Sequence, residues 1–112
     1  MPDARALYRE GFKHFADDRI TEAVDCYQRA VDAEPDLAIA WNGLSMTLRR
    51  KGDLDGAIEA GLKMVELEPD DPLSHTNLSI LYQAKDMIQE AEDEKALAMQ
   101  LQLKVESDTR TG

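Results

Sequence analysis

A 34-residue spacing runs through the sequence and constrains its fold more than any other feature. It separates Ala23, Ala57 and Ala91, and it separates Pro35 from Pro69. A fixed period of this length indicates one supersecondary unit used several times. Apolar residues recur at helical spacing on both sides of breaks that carry Gly, Asp or Pro, so the repeated unit is predicted to be a helix-turn-helix.

Turn and capping residues place the ends of six predicted helices. An aspartate accepts hydrogen bonds from the first free N–H groups of a helix, and five of them stand at predicted helix starts: Asp3, Asp36, Asp53, Asp71 and Asp86. Gln89, three residues after Asp86, completes the pattern of a capping box. The sixth helix is predicted to continue to about Val105, which makes it longer than its counterparts, with a frayed polar tail over 107–112.

Residues at equivalent positions of the three units resemble the tetratricopeptide repeat. That family has an aromatic residue, Leu-Gly or Leu-Ala, Tyr, Ala, a second aromatic residue, Ala and a closing Pro within 34 residues. In this chain the matching residues are Leu7, Gly11, Ala23, Tyr27, Ala30 and Pro35; then Trp41, Leu44, Ser45, Leu48, Gly52, Ala57 and Pro69; then Leu78, Ser79, Tyr82, Ala91 and Ala98.

The resemblance implies an all-α, right-handed α-solenoid of three repeats, at about 4–37, 38–71 and 72–105, in a single domain over 1–106. The third repeat departs from the pattern, because Leu103 stands where the closing Pro would fall. Gly61 stands where the family has a bulky aromatic residue, and Trp41, at the leading aromatic position, is expected to be largely buried.

Length and charge limit the classes of function. The chain of 112 residues suffices for one domain, and its net charge of −10 disfavours nucleic acid and anionic membrane surfaces as partners. It has no apolar segment of signal or transmembrane type, so we expect a cytoplasmic protein. The stripe of the first helix that has no preceding repeat to pack on is mostly polar, at Ala6, Glu10, Lys13 and Asp17, and the apolar distal part of the last helix is expected to cover the other end. Both features favour a complete three-repeat array.

Catalytic motifs are lacking, and the sequence predicts no enzyme and no cofactor. There is no phosphate-binding Gly-rich loop, CxxC or HExxH pattern. Glu10 and His14 lie one helical turn apart and could hold a metal, but no second Glu–His pair faces them, so no metal site is expected. The single Cys26 is interpreted as a packing residue, and His14 and His75 as half-buried substitutes for aromatic residues.

The family's concave groove is the expected binding site. The resemblance places twelve candidate ligand residues on the first helices of the repeats: Arg5, Tyr8, Arg9, Phe12, Ile39, Asn42, Met46, Arg49, Leu73, Asn77, Ile80 and Gln83. We name Tyr8, Phe12, Met46 and Ile80 the apolar strip. Its charged neighbours are all arginines in an otherwise acidic protein, so the expected ligand is a peptide or amphipathic helix with apolar anchors and acidic flanks.

Two alternatives remain open from the residues. Phe12 or Phe15 could complete the core instead of lining the groove. The groove and the long last helix could also be buried in a homo-oligomer. One subclass of the family is excluded, namely the repeats that clamp the C-terminal carboxylate of heat-shock chaperones with Lys, Asn and Arg side chains. At none of the five clamp positions does this chain have the residue expected there; they hold Tyr8, Phe12, Gly43, Leu73 and Asn77.

Overall fold

The structure, a computed structural model, describes residues 3–111 as six α-helices joined by short turns. The helices are α1 (Ala4–Ala16), α2 (Ile20–Ala33), α3 (Ala38–Lys51), α4 (Leu54–Leu67), α5 (Pro72–Ala84) and α6 (Ile88–Thr111). Each helix packs against the next one along the chain, and α1 also touches α3. The predicted all-α solenoid of helix pairs is confirmed.

Three of the predicted caps form. Asp3, Asp53 and Asp71 each accept a hydrogen bond from a first-turn backbone N–H, at donor–acceptor distances of 2.9–3.2 Å. Pro72 follows Asp71 as the first residue of α5, where the missing N–H would have had no helical partner. These side chains fix where α1, α4 and α5 begin.

The cap predicted at Asp36 is wrong. Leu37 occupies the N-cap position of α3, makes no side-chain cap hydrogen bond and is only 5% exposed. Burial of the Leu37 side chain in the core, together with its N–H bond to the carbonyl of Glu34 at 3.1 Å, sets the start of the helix. Tertiary packing therefore overrides the local capping preference here.

The capping box predicted at Asp86 is also wrong, and the repeat explains why. The backbone has positive φ at Asp18, Gly52 and Asp86, which are 34 residues apart. Each turn between paired helices needs one left-handed residue at this position, a conformation that Gly, Asp and Asn adopt most readily. Asp86 is thus the counterpart of Gly52. The Gln89 side chain donates a hydrogen bond to the carboxylate of Asp93 and does not form a capping box with Asp86.

Helix α6 continues to Thr111, beyond the predicted end near Val105. The tail predicted to fray is therefore helical through Thr111, and Gly112 lies outside the described residues. No Pro or Gly occurs between Ile88 and Thr111, and the Thr109 hydroxyl donates to the Val105 carbonyl at 2.8 Å. Helix propagation needs only that each further residue adds one backbone bond.

Small residues allow the paired helices to approach closely. The Ser45 hydroxyl donates to the Ala57 carbonyl at 2.9 Å, and the Ser79 hydroxyl donates to the Ala91 carbonyl at 2.8 Å. All four residues are buried. The same contact thus joins α3 to α4 and α5 to α6, and it satisfies a buried hydroxyl each time.

The ring of Tyr27 fills the space between α1 and α3. It is 3% exposed and lies against two glycines, where an added Cβ would come within 2.9 Å of the ring at Gly11 and 2.5 Å at Gly43. Tyr8 packs on it with ring centroids 5.7 Å apart. The first two repeats therefore meet around one aromatic side chain that only glycine neighbours accommodate.

Gly61 marks a second tight contact, between α4 and α5. A Cβ there would lie 3.2 Å from a methyl of Leu81 and 3.4 Å from a methyl of Leu78. These leucines of the third repeat fill the volume for which the family pattern has an aromatic residue. The missing aromatic side chain is replaced from the neighbouring repeat, and no hollow remains at this position.

We expect the two glycines to respond oppositely to alanine. Gly43→Ala forces a Cβ into the Tyr27 ring and should lower the free energy of unfolding by about 1–3 kcal/mol. In Gly61→Ala the Cβ meets only ends of side chains, at 3.2–3.6 Å, and a shift of a few tenths of an ångström accommodates it. The variant also gains helix propensity, so stability should stay equal or rise by up to about 1 kcal/mol. Urea unfolding followed by circular dichroism measures both. Equal destabilisation of the two variants would contradict the contact at Tyr27.

Trp41 is half-buried, so the expectation of a largely buried indole is corrected. Its Nε1–H donates to the Pro35 carbonyl at 2.7 Å, which holds the ring over the turn between repeats. His75, 34 residues later, uses Nε2 in the same way toward the Pro69 carbonyl, also at 2.7 Å. Unlike Trp41, and contrary to the expectation of half-burial, His75 is only 3% exposed.

The other nitrogen of the His75 ring meets a carboxylate. Nδ1 lies 2.6 Å from Oε2 of Glu94 on α6, so both ring nitrogens face acceptors. Burial alone lowers the pKa of His75, but the bonds to Pro69 and Glu94 and the negative charges of Glu94 and Asp71 outweigh it. The pKa is raised above its ordinary value of 6.5. The doubly protonated imidazolium satisfies both contacts.

Stability should therefore fall as pH rises past the pKa of folded His75. Folding raises this pKa, so the protonated ring of His75 stabilises the fold. That stabilisation is fully present below pH 6.5 and disappears as the pH rises through the pKa of the folded protein. NMR titration of the ring and urea unfolding across this range measure the two quantities. In Glu94→Gln the His75 pKa should drop and this pH dependence should shrink. If the free energy of unfolding of Glu94→Gln depends on pH as steeply as that of the wild type, groups other than His75 cause the dependence.

Candidate ligand groove

A depression between α1 and α3 holds the first half of the apolar strip. Tyr8 and Phe12 from α1 and Met46 from α3 line a cavity of about 170 Å³, with Asn42 at its wall. Phe12 is 57% exposed and Met46 48%, whereas Tyr27 closes the floor. Phe12 therefore lies on the surface and does not complete the core.

Met46 links this depression to the second half of the strip. Together with Arg49 of α3 and with Asn77 and Ile80 of α5, it lines a small adjoining recess of about 30 Å³. Ile80 is 39% exposed. The apolar side chains thus follow one another from α1 across α3 to α5, on the first helices of successive repeats.

Helix α6 supplies a wall that the sequence reasoning missed. A cleft of about 370 Å³ lies between α5 and α6; from α5 it is lined by Ile80 and Gln83, and from α6 by Lys95, Met99 and Gln102. No pattern along a single helix indicates this wall, because it depends on how α5 and α6 pack against each other.

Amide side chains bridge the strip at its centre. Asn77 donates through Nδ2 to Oδ1 of Asn42 at 2.7 Å, and both residues are half-buried. This bond leaves the amide N–H groups of Asn42, which lines the depression, and the carbonyl oxygen of Asn77, which lines the recess, without a side-chain partner among residues 3–111. An asparagine pair of this kind offers donors and acceptors to a peptide backbone.

The arginines around the strip differ in how far they are engaged. Arg50 is held by Asp18, with Nη2 2.7 Å from the carboxylate, and by the Phe15 ring, 5.8 Å from its guanidinium carbon. Among residues 3–111, Arg5, Arg9 and Arg49 form no ion pair, and all three are exposed. They present uncompensated positive charge on a protein whose net charge is −10.

Four candidates stand apart from the central depressions. Arg5, Arg9 and Ile39 are exposed on the early turns of α1 and α3 and line none of the cavities described above. Leu73 is 52% exposed and instead lines a recess with Val105 of α6. The sequence therefore predicted the correct helices, but not which turns of them converge.

A cluster of possible metal ligands lies outside the groove. Glu10 and His14 of α1 and the buried Cys26 of α2 bring one ligand atom each within 4.8 Å of one another. Burial, and next the charges of Glu10 and Asp25, raise the pKa of the Cys26 thiol. Cys26 was missed by sequence reasoning because its approach to the Glu10–His14 pair depends on helix pairing.

Within the described part of the chain, no helix combines the length and the apolar character needed to cross a bilayer.

Comparison with known sequences agrees with the repeat. A sequence profile described as tetratricopeptide repeat matches residues 8–72, more than half of the chain. The peroxisomal targeting signal receptor of Candida albicans (strain SC5314 / ATCC MYA-2876) is 29% identical over 78 residues, which is 70% of this chain. The match spans only 13% of that receptor's length.

Solved structures of similar architecture extend the comparison. A crystal structure of MamA superposes with a TM-score of 0.90 at 27% identity, over 94% of this chain and 61% of that one. The first TPR of Spaghetti (RPAP3), solved bound to the HSP90 peptide SRMEEVD, has a TM-score of 0.84 at 21% identity, over 88% and 79% of the two chains. At 21% identity the second similarity concerns the fold alone.

Proposed function

This chain belongs to the tetratricopeptide-repeat family, and we propose that it is a non-catalytic interaction module that binds an apolar, acid-flanked peptide or helix of another protein. The observation that carries the proposal is the succession of exposed apolar side chains at Phe12, Met46 and Ile80 across three neighbouring helices. Exposed apolar surface that is contiguous and bordered by polar groups marks interaction sites.

Shape and chemistry favour an elongated ligand. The strip follows the first helices of the repeats, and the Asn42–Asn77 pair lies at its middle with free hydrogen-bonding groups. A helix presents apolar side chains at i, i+4 and i+7 that could occupy successive depressions, and an extended segment could bond the amides. Arg5, Arg9 and Arg49 would attract acidic flanks, because their charges are not neutralised by the protein.

The chaperone-tail mode is not the mode we propose. RPAP3 is a relative in fold that is bound to the HSP90 peptide SRMEEVD. Here the corresponding clamp positions hold Tyr8, Phe12, Gly43, Leu73 and Asn77. A terminal carboxylate would meet no Lys or Arg at these positions, so we expect the affinity to come from apolar anchors.

Binding should be measured with peptides selected from a display library of amphipathic helices. Phe12→Ala should weaken binding of a selected peptide by about 1–2 kcal/mol, because aromatic anchors carry most of the energy of such interfaces. Helicity should remain, since Phe12 is 57% exposed. Leu62→Ala, which removes another exposed apolar side chain on α4, is the matched control and should bind normally. Equal loss in both variants, or unfolding of Phe12→Ala, would contradict the proposal.

We expect the unpaired arginines to affect mainly the rate at which a peptide associates. Arg49→Glu is expected to slow association of an acid-flanked peptide and to flatten its dependence on salt. Arg29→Glu changes the same charge on α2, outside the groove, and serves as the control. Stopped-flow fluorescence at several salt concentrations measures the rates. Identical kinetics of the two variants would exclude local steering by Arg49.

Self-association is the second candidate, and the distal part of α6 favours it. Met99 is 60% exposed at the rim of the cleft with α5, and Leu103, one turn later on the same face, is 63% exposed where α6 extends past the shorter α5. An apolar face of a helix is ordinarily covered by another element. A second copy could provide that cover if it buries at least about 1,000 Å².

Light scattering over a concentration series tests this candidate. If copies associate through α6, Leu103→Asp should shift the population toward monomer, whereas Leu62→Asp on α4 should not. A monomer at every concentration would reject self-association and leave the distal α6 surface available to the groove ligand.

A further inference from the structure

We propose that Glu10, His14 and Cys26 form a binding site for one divalent transition-metal ion of the zinc type. The site lies at the start of the array, between α1 and α2, and shares no residue with the apolar strip. The inference therefore stands independently of peptide binding. It also departs from the sequence-based expectation of no metal, which rested on the lack of a partner for the Glu10–His14 pair.

The geometry brings three donor atoms to one point. Glu10 and His14 are one turn apart on α1, and Cys26 approaches from α2, so that all three ligand atoms lie within 4.8 Å of one another. Bonds of about 2.0–2.3 Å in a tetrahedral site hold ligand atoms about 3.5 Å apart. Glu10 is exposed and His14 half-buried, so rotation of these two side chains can close the remaining distance.

The donors are not committed to other contacts. Between residues 3 and 111, neither ring nitrogen of His14 has a protein hydrogen-bond partner, and the Glu10 carboxylate forms no ion pair. The guanidinium of Arg29 lies 4.0 Å from the carboxylate of Asp25, which is not one of the three donors. In His75, by contrast, both ring nitrogens are engaged in hydrogen bonds, with the Pro69 carbonyl and the Glu94 carboxylate.

The repeat itself does not require these residue types. In the second repeat the three corresponding positions are apolar, and two of them are almost fully buried: Leu44, Leu48 and Ala60. An end repeat needs polar residues on its outer face, but any polar residue meets that need. Here the three replacements carry a carboxylate, an imidazole and a thiol that converge.

The donor set selects the class of ion. Thiolate and imidazole ligands suit Zn²⁺ and related first-row ions, whereas Mg²⁺ and Ca²⁺ require oxygen ligands. Three protein ligands leave a fourth coordination position for water or for a group from another molecule. Bound at this place, the ion would join α1 to α2 in the first repeat.

Zinc and cobalt are the probes for the test. Untagged protein, stripped with chelator and kept reduced, is titrated with Zn²⁺ by calorimetry and with Co²⁺ by absorption. One ion per chain is expected, and Co²⁺ should show thiolate-to-metal charge transfer. Cys26→Ser should abolish that band, and both Cys26→Ser and His14→Gln should weaken Zn²⁺ binding by more than about tenfold. Asp25→Asn, next to Cys26 but outside the cluster, should keep the band.

Several results would overturn the site. They are the absence of saturable Zn²⁺ binding, a cobalt spectrum without the thiolate band, or binding that survives in Cys26→Ser. Circular dichroism of each variant separates lost ligands from lost fold, and the wild-type cobalt spectrum decides the matter even if a variant unfolds. Phe12→Ala should bind metal normally, so failure of the peptide-binding proposal would leave this result unaffected.

Discussion

The packing of Tyr27 against two glycines is the interaction on which the rest of the array depends. Its ring is buried between α1 and α3, and side chains at Gly11 or Gly43 would overlap it. The close approach sets how the second repeat is positioned on the first. It also fixes the depression above the ring, because Tyr8, Phe12 and Met46 surround the space that Tyr27 closes from below. Core packing and the candidate groove thus share one side chain.

The repeat preserves contacts and varies the groups that make them. A serine hydroxyl reaches the facing helix in both later repeats, and a ring N–H reaches the carbonyl of the preceding proline from Trp41 and from His75. Replacing an indole with an imidazole adds a second nitrogen, and Glu94 supplies its partner. The substitution changes a contact that is insensitive to pH into a titratable one. The third repeat accordingly has electrostatic properties that the second lacks.

The period and the apolar pattern were enough to predict six helices, and three aspartate caps followed from local chemistry. The failures have physical causes. Burial of Leu37 overrode the cap at Asp36, and Asp86 was needed as the left-handed turn residue. The spacing of residues along the chain could not predict which residues of different helices touch. Neither the approach of Cys26 to His14 nor the place of Met99 in the cleft between α5 and α6 depends on spacing along one helix.

The distribution of charge around the candidate groove favours one kind of ligand. Acidic residues outnumber basic ones by 23 to 13, yet Arg49 at the recess, and Arg5 and Arg9 on the early turns of α1, have no acidic partner in the described chain. Arg50 differs, because Asp18 and the Phe15 ring hold it as a link between the first two repeats. Arg50, which holds the repeats together, therefore adjoins the unpaired Arg49. A ligand with acidic flanks would pair with the unpaired arginines without disturbing Arg50, so recognition need not weaken the contact between repeats.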